Sequence, residues 1–293
     1  MRDLPTRALI VGLLCLAALA ACVSGTGRVA DFSLSEEPLH GKFVWHDLIA
    51  DDPAAARRFY GGLFGWSFER TTHPNGGDYT LITSRGRFVG GIVELADPAN
   101  ADYSRWLGYL SVPDVDAAVE RAAADGGRAV AGPLELGNIG RAAAIIDPQG
   151  AVVGLLRSSA GDPDDTSKRE VGEIVWNELL TADEVRAADF YSNITGAQAR
   201  FTPRGGGQYI VLRGQERDRA GIVQRPADDI QPFWLTHFAV SDPAAAADRA
   251  EQLGGAVVLA PSPELRGGSL AIVTDPGGAI LALHRWPEEG ANP

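Results

Sequence analysis

The chain carries one pattern twice. Phe43-Val44-Trp45-His46-Asp47-Leu48 returns as Ile174-Val175-Trp176-Asn177-Glu178-Leu179, at a spacing of 131 positions from Trp45 to Trp176. Phe59-Tyr60 returns as Phe190-Tyr191 and Gly65 as Gly196 at that same spacing. Tyr79 and Gly91-Ile92-Val93 return as Tyr209 and Gly221-Ile222-Val223 at 130. Trp106, Asp114, Gly126-Gly127 and Asp147-Pro148 return as Trp234, Asp242, Gly254-Gly255 and Asp275-Pro276 at 128. So small a drift over so long a unit describes a duplicated domain with minor loop changes.

Each copy divides again. Phe43 to Ile49 has the apolar content and length of a strand, and Pro53 stands where the first turn of a helix tolerates proline. Ala54 to Phe64 then reads as a helix with Phe59, Tyr60, Leu63 and Phe64 on its inner face, ended by Gly65. Three strand-like runs follow, Trp66–Arg70, Tyr79–Ser84 and Phe88–Leu95. The second half repeats the order: strand Trp106–Val112, helix Val115–Ala124, strand Ala129–Leu136, then the hairpin Arg141–Asp147 and Val152–Arg157 across Pro148-Gln149-Gly150. Strand, helix, strand, strand, strand is thus expected four times, an α+β architecture. Ser158 to Glu170 is rich in Ser, Asp, Gly and Lys without apolar periodicity and reads as a linker. The expected divisions are 42–158 and 172–286 for the two domains, 159–171 for the linker and 287–293 for a tail.

Ahead of the first copy, Arg2 and Arg7 precede an uncharged apolar run, Ala8 to Val23, the layout of a secretory signal peptide. The run is short for a bilayer-spanning helix, which needs about 20 residues. It closes on Leu19-Ala20-Ala21-Cys22, which resembles the lipobox of bacterial lipoproteins. That resemblance implies a signal segment with its lipobox over 1–22 that is cut before Cys22, lipidation of Cys22 and a membrane anchor, with 23–41 as a flexible tether. It also implies a cell-envelope protein on the periplasmic side. Val23 after the cysteine, where Asp is absent, favours the outer membrane in a Gram-negative host. Cys15 leaves with the leader, so no disulfide forms within the mature chain.

The net charge is −12, and −13 once Arg2, Asp3 and Arg7 are gone. No basic cluster interrupts that acidity. Nucleic acid is therefore excluded as a partner, and the membrane is met through the anchor alone.

Four βαβββ units in two pairs resemble the vicinal oxygen chelate superfamily, which includes glyoxalase I, extradiol dioxygenases and bleomycin- and fosfomycin-resistance proteins. The resemblance rests on the Trp-x-[Asp/Glu]-Leu opening strand, the Phe-Tyr pair, the glycine after it, and Asp-Pro-x-Gly before the last strand. It implies two tandem glyoxalase-like domains, each a mixed sheet curled into a cup with helices outside. It also implies a divalent metal held by one residue of the first strand and one carboxylate of the last strand in each unit. Carried onto this chain, the first-strand positions fall on Trp45, Leu107, Trp176 and Leu235, and the last-strand positions of the second units on Gly154 and Ala282. None of these side chains coordinates a hard or borderline cation. Glu94 and Gln224 alone keep ligand chemistry, near the ends of the fourth strands. A one-residue shift would bring in His46 and Asn177, but strand alternation would then turn Trp45 and Asp47 toward the helices.

Two residues beyond those positions, on the same strand face, stand Glu178, His237 and His284. They are candidates for acid-base catalysis or, with Glu94, for a displaced set binding Zn, Fe, Mn or Ni. The plainer reading makes each histidine a lone group on a wet rim. The first copy has Asp47, Tyr109 and Leu156 there instead. Gly205-Gly206-Gly207 resembles a phosphate cradle, yet it lies between two strands opposite Asn75-Gly76-Gly77 of the other copy, so a hairpin loop explains both.

The expected function is therefore binding of a small apolar or aromatic molecule without a metal or other cofactor. The expected lining is Trp45, Asp47 and Tyr109 in one cup, and Trp176, Glu178 and His237 in the other. The rival is a metal-dependent lyase or dioxygenase; a third possibility is a scaffold that contacts only a partner protein.

Overall fold

The computed structural model describes residues 34–286 apart from 36, 73–76, 96–103, 138, 166–168, 205–206 and 265. The leader, Cys22, the tether up to residue 33 and the tail lie outside the described residues.

The first copy runs β1 (Phe43–Ala50), α1 (Pro53–Phe64), β2 (Ser67–Thr72), β3 (Asp78–Ser84), β4 (Arg87–Glu94), β5 (Arg105–Ser111), α2 (Val115–Ala124), β6 (Arg128–Glu135), β7 (Gly140–Ile146) and β8 (Val152–Ser158). The second runs β9 (Ile174–Thr181), α3 (Glu184–Thr195), β10 (Gln198–Arg204), β11 (Gly207–Gly214), β12 (Arg217–Gln224), β13 (Phe233–Val240), α4 (Pro243–Gln252), β14 (Ala256–Leu259), β15 (Leu270–Thr274) and β16 (Ile280–Arg285). The fourfold order expected from the sequence is present.

Local chemistry starts and stops the helices. The Asp52 carboxylate accepts from the amides of Ala54 and Ala55, Pro53 occupies the first turn, and Gly65 closes α1 at φ 71°. Asp183 and Gly196 (φ 78°) do the same for α3. A side chain at either glycine would meet the Cβ penalty of the left-handed region, which glycine escapes.

Each copy forms one eight-stranded sheet, ordered β2-β3-β4-β1-β5-β8-β7-β6 and β10-β11-β12-β9-β13-β16-β15-β14. In the first, β1 pairs parallel with β4 and antiparallel with β5, and β9 does the same with β12 and β13 in the second. This joins the two units of a copy at their opening strands and leaves one continuous concave face. Alternation along β1 sends Trp45 and Ile49 to that face and Leu48 and Ala50 to the helical side.

The helices lie outside the cups yet inside the molecule. The convex face of the first unit shares a core with that of the fourth, where Leu48, Phe59 and Tyr60 pack with Phe238, Ala250 and Leu281. The second unit shares one with the third in the same way, through Leu110, Ala118, Phe190 and Tyr191.

The repeated signature residues sit at these two joints. The Tyr60 hydroxyl lies 3.2 Å from the Asp275 carboxylate in the other copy and receives the Trp106 indole N–H at 2.9 Å. Tyr191 lies 3.1 Å from Asp147 and receives Trp234 at 3.0 Å. A Cβ on Gly255 would come within 2.8 Å of the Phe59 ring, and one on Gly127 within 3.1 Å of the Phe190 ring. Phe-Tyr, Trp, Gly-Gly and Asp-Pro therefore recur because one joint is built twice.

The C-terminal end of the expected tether is not free. The Ser35 amide donates to the Asp162 carbonyl at 2.8 Å, the Leu39 amide to the buried Asp162 carboxylate at 2.6 Å, and the Gly41 amide to the Ser111 carbonyl at 2.8 Å. These three amide bonds and the bridge between Leu34 and Pro163 hold Leu34, Ser35, Leu39 and Gly41 against the first domain and the linker.

Candidate ligand-binding cups

The first cup is filled by its own side chains. The Tyr79 hydroxyl donates to Asp47 Oδ1 at 2.7 Å, and the Trp45 indole N–H is shared between Asp47 Oδ1 at 3.0 Å and Tyr79 at 3.2 Å. Gly91 pairs with Asp47 across the parallel ladder, and a Cβ there would overlap the Tyr79 hydroxyl. Tyr109 faces Gly154 across the ladder, and its ring covers the space that a side chain at 154 would need. Leu136 and Ile139, from the β6–β7 connection, complete an apolar cluster with Trp45, Tyr79 and Tyr109. All of Trp45, Asp47 and Tyr109 are buried.

The second cup keeps the indole–phenol pair, Trp176 donating to Tyr209 at 2.9 Å above Gly221. It differs in charge. Glu178 occupies the Asp47 position with one methylene more, and its carboxylate meets Arg266 Nη2 at 2.7 and 2.5 Å. Arg266 arrives from the loop before β15, lies over the Tyr209 ring at 5.8 Å, and holds φ 48°, a conformation that non-glycine residues avoid.

Glu178, His237 and His284 do come together. His237 Nε2 is 3.4 Å from Glu178 Oε2, and His237 Nδ1 is 3.4 Å from His284 Nδ1. The expectation of lone histidines on a wet rim is corrected: His237 is 0 % and His284 1 % exposed. Burial, the largest influence, lowers the His237 pKa to about 4 even though Glu178 pulls it upward. The ring is therefore neutral at pH 7, able to accept or donate one hydrogen bond and too weakly basic for efficient proton abstraction there.

The three groups form a row, not a cage. His237 spends one ring nitrogen toward Glu178 and the opposite one toward His284, so they cannot aim lone pairs at one point. Among the described residues no three His, Cys, Asp or Glu side chains are grouped to hold a metal ion. Glu94 stands apart from them, exposed at the end of β4 beside a groove lined by Arg57 and Arg70. His46 and Asn177 face away from the cups and meet each other between the domains.

A profile described as the Glyoxalase/Bleomycin resistance protein/Dioxygenase superfamily matches residues 42–155 and 173–283. The chain belongs to this superfamily. It is 34 % identical over 242 residues to CFP32 of Mycobacterium tuberculosis (strain CDC 1551 / Oshkosh), a protein named as a glyoxylase, covering 82 % of this chain and 92 % of that one. It is 30 % identical over 256 residues to the anthracycline biosynthesis protein DauV of Streptomyces sp. (strain C5), covering 83 % and 92 %. The Mn(II)-bound glyoxalase of Novosphingobium aromaticivorans superposes with TM-score 0.56 at 15 % identity, over 86 % of this chain and 84 % of that one. The 2,3-dioxygenase LapB of Pseudomonas sp. KL28 superposes with TM-score 0.56 at 14 % identity, over 87 % and 96 %. These two show a shared fold.

The metal that the superfamily implies does not fit the residues present. In the first cup the chelating positions hold Trp45, Leu107 and Gly154 with only the exposed Glu94 able to ligate, and in the second Trp176, Leu235 and Ala282 with only the exposed Gln224. The rings of Tyr109 and His237 stand beside the two small last-strand residues. Sequence reasoning named Trp45, Asp47, Tyr109, Trp176, Glu178 and His237 on the concave faces. It missed Tyr79, Tyr209 and Arg266. The paired recurrence of Tyr79 with Gly91, and of Tyr209 with Gly221, was the signal for the first two; nothing periodic marks Arg266.

Proposed function

We propose that this chain is a lipid-anchored, metal-independent member of the superfamily that takes a small apolar or aromatic molecule into its second cup. The supporting observation is the donor set: indole, aliphatic carbon and a methyl group stand at three of the chelating positions, an exposed Gln224 at the fourth, while Glu178, His237 and His284 lie in line. Trp176 and Tyr209 offer aromatic faces, and neutral His237 offers one hydrogen bond. Arg266 closes the cup through Glu178. A ligand bearing an acceptor oxygen competes with Glu178 for that guanidinium, so entry of the ligand and movement of the loop are one event. The first cup, closed by Leu136 and Ile139, is the structural half.

The anchoring part of the reading rests on Arg2, Arg7, the apolar run and Cys22. A Cys22→Ser variant is expected in the soluble envelope fraction, and retention of that variant in the membrane would refute it.

Metal counting tests the main reading. Residues Gly27 to Pro293, dialysed against Zn, Fe, Mn or Ni and then desalted, are expected to retain none stoichiometrically. Retention of about one equivalent, lost in Glu178→Ala or His237→Ala, would establish the metal-dependent lyase or dioxygenase reading, for which the 3.4 Å approach of His237 Nε2 to Glu178 Oε2 is the supporting contact. Thermal-shift screening against small aromatics is expected to find stabilising ligands. A partner-docking scaffold would show none.

A further inference from the structure

A further cavity lies between the domains, and its wall includes Trp45 and Trp176, the residues through which it adjoins the two cups. It is about 420 Å³ in volume, bounded by the opening segments of β1 and β9, by Arg87 to Val89 of β4 and by the linker. The buried contact between His46 and Asn177 forms part of its wall. Its size is that of a small-molecule site.

The lining divides into an apolar part and a cationic part. Phe43, Phe88, Val89 and Ile174 supply the first. Lys42, Arg87, Arg169 and Arg219 supply the second, against Asp164 and Glu173 as the lining carboxylates. This is a local excess of positive charge in a chain of net charge −12.

Three of the four cations are already engaged. Arg219 makes a bidentate pair with Asp165 at 2.8 and 2.9 Å, Lys42 reaches the same carboxylate at 3.0 Å, and Arg87 pairs with Glu173. Arg169 makes no hydrogen bond or close ion pair with another described residue. Glu173 and Asp165 act on it only at longer range, and burial works against its charge. A half-buried guanidinium, stripped of part of its water and facing an apolar-walled cavity, is complementary to a carboxylate.

The geometry points to an interdomain site for a small organic anion, its apolar or aromatic body against Phe88, Val89 and Ile174 and its acidic group on Arg169. The cavity straddles both copies, so an occupant bridges the domains and stabilises their joint. Recognition by a planar, bidentate donor favours a carboxylate over an alcohol of the same shape.

Calorimetric titration with naphthoate and with naphthylmethanol tests this. Naphthoate is expected to bind the wild-type protein at least about tenfold more tightly than the neutral alcohol, because the alcohol forgoes a charge-assisted bond. Arg169→Gln is expected to erase that preference, Arg169→Lys to keep part of it, and Arg213→Gln, a change in exposed charge on β11, to leave it intact. Equal affinity of naphthoate for wild type and for a normally melting Arg169→Gln variant would overturn the proposal. So would equal affinity of the wild-type protein for acid and alcohol, a comparison that does not depend on how the variant folds. Naphthoate bound in the second cup would keep its affinity in Arg169→Gln, which separates the two sites.

Discussion

The His46 ring donates from Nε2 to Asn177 Oδ1 across 2.9 Å, and these two residues are the same position in the two copies. Equivalent positions can touch only near an axis relating the copies by a half-turn. The contact therefore marks the centre of an approximately twofold arrangement in which first unit meets fourth and second meets third.

That central histidine makes the fold sensitive to acid. Burial lowers the His46 pKa to about 4, with the bond to Asn177 opposing the shift, and His237 is lowered to about 4 by burial as well. Both rings protonate near pH 6.5 in the unfolded chain. Their contribution is thus complete above that pH and is lost as pH falls toward 4, on the order of 2 kcal/mol for each by pH 5. Urea midpoints are expected to drop between pH 7 and pH 5, and His46→Gln to flatten that dependence. An identical slope in the variant would contradict the assignment.

The interdomain joints predict paired costs. Tyr60→Phe removes one hydroxyl from a buried Trp–Tyr–Asp chain and Tyr191→Phe removes its counterpart, so each is expected to cost about 1–2 kcal/mol. The two joints share no partners, and the double variant should show the sum of the single losses. Denaturant unfolding measures all three.

Restoring a carboxylate at the superfamily's last-strand position should fail in the first cup. Gly154→Glu drives its side chain into the Tyr109 ring. A loss of about 1–3 kcal/mol from overpacking, or more with a buried unpaired charge, is expected, together with no gain of bound metal. Unfolding curves and metal analysis of the purified variant are the measurements. Stoichiometric metal would show that the site lacks only its ligand.

Arg266→Ala leaves the buried Glu178 carboxylate without its bidentate partner. Removing one member of such a pair is expected to cost about 3 kcal/mol, while replacing both with Met should recover most of the loss. Thermal or urea denaturation of the single and double variants checks this. A single variant as stable as wild type would place Arg266 outside the cup in solution.

How much of this was legible beforehand follows from the range of each interaction. The helix start at Pro53, its stop at Gly65 and the strand alternation that turns Trp45 one way and Leu48 the other are properties of short windows. They could be read directly. The joining of Tyr60 to Asp275 could not, because 215 residues separate them and no local pattern states which faces of two rigid bodies meet.

By itself the sequence determined the duplication, the order of elements and the cup-facing set, since periodicity and spacing are written along the chain. Only the tertiary structure decided that the helices of the two copies pack on each other. It alone brought Arg266 onto Glu178 and placed Arg169 at a cavity between the domains. Those are relations among distant segments, set by how whole surfaces fit, and a loop side chain that reaches across a cup leaves no periodic trace.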